Sequence, residues 1–240
     1  MDIIDLNKDK LKGKRVLKED EVWTDEKYVY KNAFSFNSNV EYLDIFYLLK
    51  GNEFENLTMP KYELYVSNKP YGYVTDYLYK YKSVREYLRK SKITYKNKLE
   101  IIKRIINTIK KMHNELEIVH GDLNPSNIMI KDTNIEVVDF DNMGIKGATS
   151  DKYYKSKQLD DMKCLTTLLF DILCETDINM DSELFALIDL MDVSKEFKSY
   201  LSNCLKYDDS VLGVYPDEYI KEINGTIEYS LKNKVRDLKW

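Results

Sequence analysis

Between His120 and Asp141 the chain reads His-Gly-Asp-Leu-Asn-Pro-Ser-Asn, then two short apolar runs, then Asp-Phe-Asp. No other stretch restricts the fold as much. Asn127-Ile128-Met129-Ile130 has the composition of a strand, Lys131-Asp132-Thr133-Asn134 that of a turn, and Ile135-Glu136-Val137-Val138 that of a returning strand. A hairpin of this size puts Asn127 at the start of one strand and Asp139 at the end of the next. Two oxygen-bearing side chains distant in sequence thereby become neighbours.

Taken alone, Asp122, Asn127 and Asp139 are each an ordinary turn residue or strand-end cap. At this spacing, with His120 in front and Phe140 behind, they form a set suited to phosphoryl transfer. That chemistry asks little covalent help of a protein. It needs a carboxylate to orient an attacking hydroxyl, and oxygen ligands that hold magnesium against phosphates. Asp122 has the first capacity, Asn127 and Asp139 the second.

The rest of the chain supplies a setting. Candidate strands lie at 15–17, 21–23 and 27–31, and residues 63–66 and 71–74 flank a turn at Ser67-Asn68-Lys69-Pro70. Residues 38–50 carry Val40, Leu43, Phe46, Tyr47 and Leu49 at helical spacing. Beyond Leu78 the pattern is helical. Leu99, Ile102, Ile105, Ile106, Ile109, Met112 and Leu116 make one wide apolar stripe over 95–116. Further helices are expected at 159–173, 182–191, 194–205 and 216–231.

His120-x-Asp122-x-x-x-x-Asn127 followed by Asp139-Phe140 resembles the catalytic loop and metal-binding Asp-Phe-Gly element of the protein-kinase-like superfamily, which includes protein kinases and aminoglycoside and choline phosphotransferases. The resemblance implies an α+β, bilobal fold: a small β-rich N-lobe with one helix over 1–78 and a larger, mainly helical C-lobe over 79–240, together one kinase-like domain. It implies ATP and Mg2+ as cofactors, Asp122 as the catalytic residue, and Asn127 and Asp139 as metal ligands. Lys31, at a strand end, matches the lysine that contacts the ATP phosphates, with Glu41 or Asp44 as its acidic partner. Thr75, Asp76 and Leu78 match the adenine-reading hinge. His120 supports the site structurally, as does Asp161, matching the aspartate that begins the buried helix and holds the catalytic-loop backbone; Asp160 is its rival.

The pattern is broken in places. Gly13 is the only glycine before Gly51, so the glycine-rich phosphate loop is missing. Gly121 replaces the usual Arg, Asn124 a Lys and Asp141 a Gly, and the short stretch from Asp139 to Asp161 contains no Ala-Pro-Glu. These departures leave three readings: transfer from ATP to a protein Ser/Thr hydroxyl, placed first; a small-molecule kinase of the aminoglycoside or choline type; and a pseudokinase scaffold.

With 240 residues and a net charge of −4, the chain has room for a substantial core and lacks the basic excess of a nucleic-acid binder. Three cysteines without metal spacing indicate a reducing compartment. The acidic N-terminus lacks the pattern of a signal peptide, and no apolar run is long enough for a membrane span. The expected partners are ATP and a protein or small hydroxyl-bearing substrate, and the expected location is cytoplasmic.

Overall fold

The chain forms two compact units in the computed structural model, Met1–Tyr81 and Lys82–Trp240. The structure describes residues 3–6, 10–11, 14–18, 22–32, 54–90, 92–178 and 180–238. The helix expected over 38–50, which carries Glu41 and Asp44, lies outside the described residues.

In the first unit, β1 (Ile3–Leu6), β2 (Arg15–Lys18), β3 (Val22–Thr24), β4 (Tyr28–Asn32), β5 (Tyr62–Val66) and β6 (Lys69–Asp76) form one sheet in the order β1-β5-β6-β4-β3-β2. All pairs are antiparallel except β1 with β5. The β5–β6 turn is tighter than its composition suggests. Ser67 and Asn68, both at positive φ, make it alone, and Lys69 and Pro70 already belong to the strand. Two left-handed residues in succession match the twist of the flanking strands. Strand alternation sends Trp23, Tyr30 and Val74 into one apolar cluster with Leu11, Leu64 and Val66.

The second unit is mainly helical. It contains α1 (Val84–Lys90), α2 (Tyr95–Asn114), α3 (Asp151–Cys174), α4 (Asp181–Leu190), α5 (Lys195–Leu205) and α6 (Gly225–Leu238). Its short strands are β7 (Lys82–Ser83), β8 (Ile118–Val119), β9 (Ile128–Lys131), β10 (Asn134–Val137) and β11 (Gly144–Ile145). They form a three-stranded sheet, β10-β9-β7, and a two-stranded one, β11-β8. α2 is capped by the Thr94 hydroxyl, which accepts the Asn97 amide at 3.3 Å. Its buried Ile101, Ile102, Ile105, Ile106, Ile109 and Met112 face the core, and it packs against α3. α3 is the central rod, with α5 and α6 also laid against it. This is the α+β arrangement, a β-rich first part and a helical second, that the resemblance implies.

Two helices differ from expectation. α3 starts at Asp151 rather than near 159, because Ser150 caps it by accepting the Tyr153 amide at 3.3 Å. The helix expected from 216 to 231 begins only at Gly225. Two 3-10 turns, Pro216–Glu218 and Ile220–Glu222, come first, and the Asn224 side chain then accepts the Thr226 and Ile227 amides. Among the described residues no helix is long and apolar enough to cross a membrane.

Candidate active site

The β9–β10 hairpin positions the polar residues at its base. Ile128 pairs with Val137 and Lys131 with Asn134, leaving Asp132 and Thr133 as the turn. At the open end the Val138 amide donates to the Asn127 carbonyl at 2.9 Å, which brings Asp139 beside the start of β9. Asp139 has φ +70, a left-handed backbone that a non-glycine residue adopts at a cost of about 1 kcal/mol or more.

Asn127 is 8 % exposed and is drawn to Asp122. Its Nδ2 donates to the Asp122 carbonyl at 2.8 Å and stands 3.5 Å from Asp122 Oδ2. Asn124 joins them: its Nδ2 donates to the same carbonyl at 3.0 Å, its Oδ1 accepts the Ser126 amide at 2.9 Å, and its own carbonyl accepts the Asn127 amide at 2.9 Å. With Nδ2 of Asn127 committed to Asp122, Oδ1 is the end of that amide with the lone pairs a cation needs. The Asp122 carboxylate is exposed.

His120 ties the two loops together. One neutral tautomer serves both of its contacts: Nε2–H donates to the Val138 carbonyl at 2.9 Å, and Nδ1 accepts the Asp122 amide at 3.2 Å. Its ring lies 4.9 Å from that of buried Phe140, centroid to centroid. Beneath it sits the Asp161 carboxylate, fully buried in the middle of α3 rather than at its start. Oδ2 accepts the His120 amide at 2.7 Å and Oδ1 the Gly121 amide at 3.0 Å. Asp160 instead pairs with Lys157 at 3.2 Å.

Two side chains in this arrangement escaped the sequence reading. Buried His113, on α2, donates from Nε2 to Asp161 Oδ2 at 2.9 Å, and its Nδ1 accepts the Tyr215 hydroxyl at 2.8 Å. Lys157, one turn before Asp161 on α3, donates to the Gly121 carbonyl at 3.1 Å. The 157/161 spacing was the available signal, and it is visible only once α3 is begun at Asp151.

The stretch after Asp139 is short and closed. β11 pairs with β8, the Asn142 carbonyl accepts the Tyr153 hydroxyl at 2.9 Å, and the Lys146 amide donates to the Glu117 carbonyl at 3.0 Å. α3 follows directly.

In the first unit, strand register settles which nucleotide candidates share a face. Lys31 lies opposite Val22 and Tyr73, and Val29 opposite Thr24 and Thr75. Lys31 and Thr75 therefore project from the face opposite the apolar cluster of Trp23, Tyr30 and Val74. Lys31 Nζ lies 5.9 Å from the Tyr73 ring centroid. Buried Glu63, opposite Tyr73, continues this row and was not singled out from sequence. The side chain of Asp76 goes to the other face and pairs with Lys61 at 2.5 Å, while Leu78 follows the strand, half-buried.

Among the described residues no cluster of three or more His, Cys, Asp or Glu could hold a metal. Magnesium does not need one, since it takes one or two protein oxygens and completes its shell with water and substrate phosphates. The carboxylate of Asp139 and the amide oxygen of Asn127 are a donor set of that kind.

A family model for the RIO domain matches residues 10–147, more than half of the chain. The chain belongs to the RIO domain family. RIO domains belong to the atypical protein-kinase-like superfamily, and RIO family proteins are atypical Ser/Thr kinases or kinase-like ATPases that bind ATP, usually with Mg2+. At that level this RIO domain is a kinase-like ATP-binding phosphotransferase. No curated protein matches the chain. The matched span covers the described sheet of the first unit from β2 on and, in the second, everything through β11, but not α3, whose Asp161 and Lys157 hold the loop at 120–121.

Proposed function

We propose that this RIO domain transfers the γ-phosphate of ATP to a Ser or Thr hydroxyl of a protein, with magnesium. Asp122 orients the acceptor hydroxyl and takes its proton. Asn127 and Asp139 hold the metal, which when bound neutralises charge on the phosphates. Lys31 and its strand neighbours in residues 1–78 serve the nucleotide, and residues 79–240 carry the transfer machinery. Thr75 backs the base, and the Asp76 carbonyl and Leu78 amide read its edge.

One observation carries the reading. The Asn127 amide is committed to the Asp122 backbone while Val138 is tied to Asn127, so the residues assigned as proton acceptor and metal ligands are linked by the protein's own hydrogen bonds. Such preorganisation is what positioning-dominated catalysis requires. A small-molecule alcohol is the second reading. The closure of β11 on β8 favours it, because little chain is left to support a peptide.

The test uses γ-labelled ATP, magnesium and a lysate from the host, with Asp139→Ala alongside. The expected result is label in protein with the intact chain and at least ~100-fold less with the variant. Label in a small metabolite moves the assignment to the second reading. Magnesium-dependent transfer by Asp139→Ala at the wild-type rate would falsify both.

A further inference from the structure

The loop that presents Asp122 has a backbone joint at Gly121. This residue has φ +75, and glycine tolerates both signs of φ, so its own backbone restrains the Gly121–Asp122 peptide less than any other residue would, and the contacts around that peptide decide its orientation. Asp122 stands immediately beyond that peptide, so the peptide's orientation sets φ at Asp122 and the direction in which its side chain leaves the backbone.

The contacts around the joint divide by what they hold. Asp161 accepts the amides of His120 and Gly121, and so fixes the backbone up to the glycine. Beyond it, the peptide is held at its two edges: His120 Nδ1 accepts the Asp122 amide at 3.2 Å, and Lys157 Nζ donates to the Gly121 carbonyl at 3.1 Å. A turnover of the peptide would break both at once.

Lys157 is built into this place. A Cβ at position 121 would come within 3.0 and 3.1 Å of Lys157 Cδ and Cγ, so the lysine stem packs over the glycine. Its side chain is 23 % exposed, and its ammonium also meets Asp160 at 3.2 Å and lies 5.7 Å from the Tyr153 ring centroid. Lys157 and Asp161 stand one turn apart on α3. One helix face thus offers a cation to the carbonyl and an anion to the amides of the same loop.

We propose that Lys157 is a positioning residue for Asp122: by holding the Gly121 carbonyl it fixes the Gly121–Asp122 peptide, and with it the direction of the Asp122 carboxylate. This rests on the reading of Asp122 as the group that orients the acceptor hydroxyl. Misplacement of a reacting group by about 1 Å can cost ~100-fold in rate, so the loss of Lys157 should show in turnover rather than in nucleotide affinity.

The experiment uses the full chain with γ-labelled MgATP, following label into the chain's own hydroxyls and into inorganic phosphate. Lys157→Met keeps the stem and removes the cation. It should lower kcat ~10- to 100-fold with KM for ATP unchanged, and Lys157→Arg should recover most of the loss. Because Lys157 acts through Asp122, the double variant Asp122→Asn, Lys157→Met should be no slower than Asp122→Asn alone. Wild-type turnover by Lys157→Met, losses that add in the double variant, or a loss confined to KM would each overturn the proposal. Wild-type turnover by Asp122→Asn would instead overturn the reading of Asp122 itself. Amide hydrogen exchange gives a readout independent of activity: in Lys157→Met the Asp122 amide should exchange faster, while those of His120 and Gly121, held by Asp161, keep their rates. Unchanged exchange at Asp122 would count against the proposal.

Discussion

Gly121 stands where the kinase-like pattern has an arginine, and the backbone explains why no side chain fits. A Cβ there would meet the Asn142 carbonyl oxygen at 2.3 Å, and φ +75 is a conformation that residues with a Cβ adopt only under strain. Gly121→Ala should therefore lower stability by about 1–3 kcal/mol, read from urea unfolding, and should separate the loops at 120–122 and 139–142. An alanine variant as stable and active as the parent would show that the loops have room to part. From sequence, this glycine reads only as a replaced arginine. The close approach that demands it depends on a contact with Asn142, which no local pattern reports.

Among the elements, those made by local periodicity were legible and those made by partnership were not. The β9–β10 hairpin, the α2 stripe and β2 to β6 of the first sheet follow from alternation or helical spacing, whereas β1, laid parallel to β5, was not expected. β7, β8 and β11 have two residues each and exist only because a partner strand lies beside them. The first two turns of α3 escaped because they are largely exposed, with Tyr154 the buried exception, and so show no apolar stripe. Lys98 shows the same limit on α2. It is fully buried among the isoleucines, its ammonium 2.6 Å from Glu175, 2.5 Å from Glu228 and 3.0 Å from the Leu173 carbonyl. Lys232 meets both glutamates at 3.1 and 3.2 Å. The network clips α6 to α2 and to the end of α3. Glu228→Ala leaves a buried ammonium short of a partner and should cost about 3 kcal/mol. Lys98→Met puts an apolar chain of similar length in the cavity and leaves Lys232 to serve both acids, so it should cost less. The reverse order in chemical denaturation would mean the ammonium is not desolvated as its burial implies.

For the molecule as a whole, the family match ends at 147, but the second unit's core does not. α2 packs on α3, and α3 on α5 and α6, so a fragment ending at 147 exposes the α2 stripe. Such a fragment should lack cooperative unfolding and aggregate, as circular dichroism and light scattering would show; a soluble fragment with a sharp transition would contradict this. The core also sets a limit at high pH. Burial pushes the Cys174 thiol up to about 12 and the Cys204 thiol up to about 11, from 9.0. Thiolates then form more readily in the unfolded chain, so this contribution to stability is intact below pH 9 and declines as pH rises towards 11 and 12. The urea midpoint should fall between pH 8 and about 10.5; a flat profile would contradict the burial of these groups.

α3 holds the Asp122 loop through Asp161 and Lys157 and the post-Asp139 segment through Tyr153, all from one rigid rod. Thermal sway of that rod carries both loops together. It is common-mode noise: the loops drift as a pair, and the spacing between Asp122 and the segment after Asp139 stays quieter than either position alone.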